Sequence, residues 1–343
     1  MQYLIWSKSR TSSLLYIEGK PGSGKSTLAK YFLKKFSIKQ SMTSSTIVAH
    51  YFYTLRGTQL EPNHDNMLRS ILYFILQQDE SAFFHFQREF RHLQQCNLLE
   101  WPYDSLKTVL SSFANHPPTK PLYLILDAMD ESKEEDRYHI IQLLCRLCSS
   151  KNSCVKVFLT SRPVAELKHQ LEECHHVIKL QDQNKGDIKM FVDDFLPNLK
   201  LPGPFLREAA DYISVNAEGV FVWVHLVKVE LLRMRATGHN HVQIIDRLKF
   251  LPKELAMFYR LMLDRLEEEG SQQDIQYGTN IFRFVLFALR PLKVGELQHI
   301  LAISSNPKMS CVEFEKNLTD EPETRIMHCG GNFVEITGIL LHR

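Results

Sequence analysis

No apolar stretch in these 343 residues comes near the ~18 needed to span a bilayer. The longest candidate, GVFVWVHLVKVELL from Gly219 to Leu232, is interrupted by His225, Lys228 and Glu230. MQYLIWSKSR lacks the charged leader and apolar core of a secretory signal. Glycine and proline are few, 14 of each, and no low-complexity tract or solenoid-period repeat is present, which excludes collagen-like and repeat architectures. The net charge is only +2, so no broad field draws nucleic acid or an anionic membrane. One basic run, KYFLKKF, follows a loop and reads as a solvated helix face. Seven scattered cysteines, an odd number, fit reduced thiols and a cytoplasmic protein. Cys145 and Cys148 form a C-x-x-C but share a helical stripe with Ile141 and Leu144. Around Cys154, Cys174, His175 and His176 no second pair follows at zinc-finger spacing, so buried thiols are expected rather than a metal.

A chain of this length carries two or three domains. The first half alternates strand-like and helix-like segments. LLYIEG, TIVAHYFY, LYLILD, VKVFLT and HVIKL read as strands. Between them come a helix with Leu28, Tyr31, Phe32 and Phe36 on one face, the helix DNMLRSILYFILQQ, and a helix starting near Asp136. Pro163 is placed to open another. Such alternation implies an α/β fold, a mainly parallel sheet with helices on both faces. From about Asn184 the pattern turns helical, with FLPNLKLPGPF as a hinge candidate and GVFVWVHLVKVELL as a buried helix. Leu255, Phe258, Tyr259, Met262, Leu263 and Leu266 form an amphipathic stripe, EEEGSQQD resembles a linker, and IFRFVLFALRPLKVGELQHILA reads as two short helices split at Pro291. The expected domains are residues 1–181, a P-loop NTPase; 182–270, helical; and 271–343, winged-helix-like and incomplete at GILLHR.

The chemistry concentrates at GKPGSGKST, from Gly19 to Thr27, a G-x-x-x-x-G-K-[ST] Walker A match set between an apolar strand and an amphipathic helix. Gly19, Lys20, Pro21, Gly22, Ser23, Gly24, Lys25, Ser26 and Thr27 are the expected phosphate-binding residues. Gly22 and Gly24 let successive N–H groups converge on phosphate oxygens, and the helix N-terminus adds positive potential. Lys25 is expected on the β- and γ-phosphates, and the Ser26 hydroxyl on Mg2+. At the end of LYLILDAMDE, the Walker B position, Asp127 is expected to supply the second protein oxygen to that ion. Many NTPases of this type follow that Asp with Glu; here the position is Ala128, leaving Asp130 and Glu131 as candidates to orient the attacking water. Arg162, at the end of VKVFLT and before Pro163, is expected to point from the sheet edge, where it either senses a γ-phosphate or stabilises its developing charge, or else forms a surface ion pair. Arg56 in TLRGT is a weaker candidate of the same kind. A rival reading is the NKGD of Asn184 to Asp187, which matches the guanine-reading N-K-x-D. It lacks the accompanying D-x-x-G, because Asp127-Ala128-Met129-Asp130 stands there, and Asn184 reads better as a helix N-cap. Adenine nucleotide is therefore favoured.

GKPGSGKSTL, LILDAMDE and FLTSRP together resemble the NACHT group of signal-transduction (STAND) NTPases, in its nephrocystin-3-like, largely fungal, NLR-like branch. Trp6, HYFYTLRG, MLRSILYFIL, GDIKMFV, AEGVFVWVHLV, ALRPLKVGEL and CGGNFVEI extend the likeness over nearly the whole chain. The resemblance implies five core strands with the sensor strand between the P-loop and metal strands, closed by a helical domain and a winged helix. It also implies phosphate binding by Gly19–Thr27, Mg2+ on Asp127, hydrolysis served by Asp130 and Glu131, and a sensor-like Arg162. Relatives in the wider class place a proline near the adenine in a G-x-P, where this chain has Gly219-Val220-Phe221. The winged helix is expected to stop before the His that would contact ADP, with neither effector domain nor repeats within the chain. The expectation is an intracellular ATP/ADP switch with Mg2+ and slow ATP hydrolysis. Self-association and unidentified signalling partners are expected, without nucleic acid or a membrane span. A non-hydrolysing, nucleotide-bound oligomerisation scaffold is the alternative. An origin-type ATPase acting on DNA is disfavoured by the missing basic surface.

Overall fold

The structure is a computed structural model that describes residues 2–9, 11–43, 46–53, 63–98, 100–115, 120–149, 154–171, 176–305, 310–337 and 340–342. Arg56, Cys174 and His175 lie outside these. The chain divides into two compact units, with the break between Leu251 and Pro252.

In the first unit five parallel strands form one sheet: β1 (Ser13–Glu18), β2 (Ile47–Phe52), β3 (Leu122–Asp127), β4 (Val155–Ser161) and β5 (His176–Lys179), in the order β2-β3-β4-β1-β5. β4, expected as the sensor strand, thus lies between β1, which leads into the glycine-rich loop, and β3, which ends in Asp127. Strand side chains alternate between faces, and both faces are buried. Leu14, Tyr16, Leu122, Leu124 and Leu126 pack on one side with residues of the helices His64–Gln78, Tyr103–Asn115 and Arg137–Cys148. Leu15, Ile17, Tyr123, Ile125 and Phe158 pack on the other with Trp6 and with Ala29, Phe32 and Phe36 of the helix Lys25–Thr43. Burial on both sides explains why these strands read as continuous apolar runs. Tyr31, expected on the buried face of that helix, is 60% exposed instead. It neighbours Phe32 in sequence, and adjacent helical residues cannot share one face.

A buried cation lies under the first helix, Gln2–Lys8. Lys156 is fully buried, its Nζ donating to the Trp6 carbonyl and the Ser13 hydroxyl, each at 2.8 Å. The Trp6 indole N–H donates to the Ser13 carbonyl at 3.1 Å, and Lys156 Nζ lies 5.7 Å from the Trp6 ring centre. Burial holds the Lys156 pKa below the ordinary lysine value, and the donated hydrogen bonds and the ring face stabilise its charge.

Beyond the sheet, the hinge candidate is packed rather than loose: Phe195, Leu196, Leu199 and Leu201 are all buried around a short 3-10 turn, Leu196–Leu199. Pro163 stands two residues ahead of its helix, Ala165–Gln170. GVFVWVHLVKVELL does form a helix, Phe221–Ala236, with Trp223, Val224, Val227 and Leu231 buried. Among the described residues no helix is long and apolar enough to cross a membrane.

The second unit packs Ile281, Val285, Leu297, Leu301, Ile326 and Val334 into its own core. A three-stranded antiparallel sheet accompanies its helices, β6 (Leu292–Lys293), β7 (Glu335–Thr337) and β8 (Leu340–His342), in the order β6-β8-β7. EEEGSQQD is not a linker. Ser271 and Asp274 form a capping box that opens a 16-residue helix, Gln272–Phe287. The first of the two expected short helices is therefore long.

Trp6→Ala should lower stability by roughly 3–5 kcal/mol, the usual cost of deleting a buried Trp, measured by chemical denaturation. An unchanged midpoint would mean that the first helix is not part of the core.

Candidate functional site

The loop after β1 is held at its start by the Gly19 N–H, which donates to the Ser161 carbonyl at the end of β4 (3.2 Å). It closes on itself through Ser23 N–H to the Lys20 carbonyl, 3.2 Å. Gly22 and Gly24 have φ of +74° and +94°, the left-handed region where a Cβ is costly. The helix begins at Lys25, and its side chain arches back so that Nζ donates to the carbonyls of Gly19 (2.7 Å) and Lys20 (3.1 Å). Burial lowers the Lys25 pKa; Asp130, Asp127 and Glu131 oppose that shift and Arg162 adds to it. Lys25 therefore lies within electrostatic reach of every charged residue singled out after β3 and β4. Ser26 and Thr27 are exposed on the first turn, whereas Ser23 is buried and its hydroxyl has no hydrogen-bond partner.

Asp127 ends β3 with only 3% exposure, and its Oδ1 accepts from the Thr160 hydroxyl at 2.6 Å. The Thr160 Oγ1 in turn accepts from the Ala128 N–H at 3.1 Å. Ala128 is left-handed, φ 58° and ψ 47°, and turns the chain at once into a single 3-10 turn, Met129–Glu131. A residue with a Cβ pays about 1–2 kcal/mol for that conformation. The turn brings both later acids to Arg162. The Arg162 N–H donates to Asp130 Oδ1 (2.9 Å), its Nε pairs with Asp130 Oδ2 (3.2 Å), and its Nη2 with Glu131 Oε1 (3.3 Å). Arg162 is half exposed, while the Asp130 side chain is 8% exposed.

Two residues that sequence reasoning missed brace this turn. Arg137 is buried; its Nε donates to Ser132 Oγ at 3.0 Å and its Nη2 to the Ser132 carbonyl, while Nη1 lies 3.4 Å from Glu166. His64 spans from the Tyr53 hydroxyl (2.9 Å) to the Lys133 carbonyl (3.2 Å). Neither carries a motif, and the partners of each, a main-chain carbonyl among them, are brought to it only by folding. Tyr16, buried beside Ser161 with its hydroxyl 2.8 Å from Ser161 Oγ, has its pKa pushed up to about 12 by burial.

A third group closes on the loop from the helical segment. Asn184 is 2% exposed and makes no side-chain N-cap bond, contrary to the sequence expectation. Its Nδ2 donates instead to the carbonyls of Ser23 (3.1 Å) and Gly219 (2.8 Å), while its Oδ1 has no partner among the described residues. With its amide spent on the main chain, Asn184 cannot read a guanine edge. Gly219 has φ +79°, and an added Cβ would stand 2.4 Å from the Gln181 Cα and carbonyl. The Val222 N–H donates to the Gly22 carbonyl at 3.3 Å, and a Cβ on Gly22 would meet Val222 at 2.8 Å. Where the G-x-P was looked for, this chain packs Val220, Phe221 and Val222 against the P-loop glycines.

With this geometry in hand, likeness to known proteins can be weighed. Residues 1–162 match the family described as Nephrocystin 3, N-terminal. The vegetative incompatibility protein HET-E-1 of Podospora anserina is 24% identical over 349 aligned positions, which take in 98% of this chain. They take in 24% of HET-E-1, so the chain spans about a quarter of that relative's length. Among solved structures, the ADP form of the Aeropyrum pernix ORC2 protein is 14% identical with a TM-score of 0.39, covering 97% of this chain and 83% of that one. A Walker-type ATPase of Pyrococcus abyssi is 14% identical with a TM-score of 0.41, covering 99% and 90%. Those structural likenesses are loose, and the P-loop NTPase fold rests on the sheet order and the loop geometry. The match over residues 1–162 and the likeness to HET-E-1 bear out the NACHT-type, nephrocystin-3-like, NLR-like resemblance of the sequence.

Proposed function

We propose that the chain is the nucleotide-operated module of an NLR-like regulator, an ATP/ADP switch that uses Mg2+ and hydrolyses ATP slowly. The observation that carries this reading is that β1, β4 and β3 end side by side at one end of the sheet, with the glycine-rich loop and Lys25 following β1, Asp127 closing β3 and Arg162 just after β4. In this reading residues 1–181 bind the nucleotide, 182–270 form the helical domain and 271–343 a winged-helix-like part. The protein acts in the cytoplasm and associates with itself and with signalling partners.

The donor set suits Mg2+, which takes hard oxygen ligands. Asp127 offers a carboxylate steadied by Thr160, and Ser26 an exposed hydroxyl on the first helical turn. They would hold the ion, which when bound neutralises charge on the β- and γ-oxygens. The protein's own residues do the rest. Gly19 to Thr27 bind the phosphates, with Lys25 withdrawing from the Gly19 and Lys20 carbonyls to pair with them. Arg162 faces the γ-phosphate from β4, and Asp130 or Glu131 orients the water. Moving a two-state protein from 1:99 to 99:1 takes about 5.5 kcal/mol of differential affinity. Two to four charge-assisted contacts at roughly 1.5–3 kcal/mol each reach that figure.

Slowness follows from the ion pairs. Asp130 and Glu131 are both engaged with Arg162, so the γ-phosphate and the attacking water must compete with those pairs for the same charged groups. The same pairing supports the second reading, a scaffold that binds nucleotide without hydrolysing it.

Two measurements separate these readings. Purified protein alone should turn over ATP well below ~1 s⁻¹, the low end for kinases; kinase-like rates without a partner would refute the switch as drawn. In single-turnover assays the Asp130→Ala/Glu131→Ala variant should fall at least tenfold, given that a positioned acid or base contributes ~10²–10⁴. A rate equal to wild type would leave the scaffold.

A further inference from the structure

The NKGD segment and the GVF turn were singled out in the sequence for roles they do not fill, and the structure gives them a joint one. We infer that Asn184 is a positioning residue of the phosphate loop, and that its amide couples the shape of that loop to the start of the helix Phe221–Ala236.

One side-chain nitrogen joins two segments far apart in sequence, donating to Ser23 at the crown of the loop and to Gly219 just before the helix. Both bonds are buried, and Asn184 itself is 2% exposed. Around this bridge the contact is continuous. The Val222 N–H bonds the Gly22 carbonyl, Val220 and Val222 fill the space where a Gly22 Cβ would stand, and Lys20 pairs with Glu218 at 2.6 Å. The Gly219 turn has no slack, because its Cα lies against the Gln181 backbone. A loop carbonyl that shifts as Gly22, Ser23 and Gly24 turn their N–H groups to phosphate must therefore carry Asn184, the turn and the helix start with it.

This inference rests on the nucleotide-binding reading, and its test keeps the two apart. Hydrogen exchange is followed on the full chain with and without saturating ADP and Mg2+, alongside fluorescence titration with an N-methylanthraniloyl-labelled ADP. Wild type should bind the labelled ADP, and ADP should slow exchange of the amides from Val220 to Val224 at least fivefold. In Asn184→Leu the labelled nucleotide should bind at least tenfold more weakly. At ADP concentrations that still saturate that variant, the added protection at Val220–Val224 should be lost while that of Gly22–Lys25 remains. A residue with only a structural role would instead change exchange equally with and without ADP. Should Asn184→Leu fail to fold, the wild-type exchange decides. ADP that binds wild type without altering Val220–Val224 overturns the coupling and leaves the binding reading intact; no binding to wild type ends both.

Discussion

The site depends on how the main chain of one short loop, Gly19 to Gly24, is held. Apart from the Ser23 N–H, which closes the loop on the Lys20 carbonyl, a loop suited to offer N–H groups to phosphate is steadied through its carbonyls and ends. The structure does this from three directions. The Gly19 N–H is tied to the end of β4, Lys25 caps two carbonyls from the helix side, and the helical segment takes the carbonyls of Gly22 and Ser23. Only glycine fits at Gly22, where the φ is positive and Val222 occupies the space of a side chain.

The acids after β3 follow a related logic. Thr160 holds both the Asp127 carboxylate and the Ala128 N–H, so β4 fixes the acid at the end of β3 and the direction in which the chain leaves it. The left-handed Ala128 then sends the chain into a tight turn. A Glu there would bear the same backbone strain with a longer side chain. The acids one turn later lie instead beside Arg162. The blank position after Asp127 is thus a pivot, and Arg137 and His64 brace the turn that it makes.

Much of this was legible in the sequence. Five apolar runs gave five parallel strands because strands buried on both faces need no alternation, and the glycine-rich loop fell where a strand meets a helix. The acids and Arg162 were singled out as candidates from their places at or just after strand ends, and the fold brings Asp130 and Glu131 beside Arg162. What stayed hidden depends on long-range carbonyl contacts. Asn184 looked like a cap because it precedes a helix, but Gly219 and Ser23 compete for its amide and win. Arg137 carries no sequence signal of its role, because its partners Ser132 and Glu166 meet it only in the fold. EEEGSQQD, expected to be a linker, holds Ser271 and Asp274 at capping-box spacing and opens a helix.

The central claim is that Lys25 and Asp127 hold one Mg2+-bound adenine nucleotide between them. Calorimetric titration of ATP into wild type, Lys25→Ala and Asp127→Asn, each with Mg2+ and with chelator, tests it most directly. The account predicts that Lys25→Ala weakens ATP binding at least a hundredfold, and that Asp127→Asn removes most of the advantage Mg2+ gives wild type. Wild-type affinity in the Lys25 variant, or an undiminished Mg2+ dependence in the Asp127 variant, would contradict it.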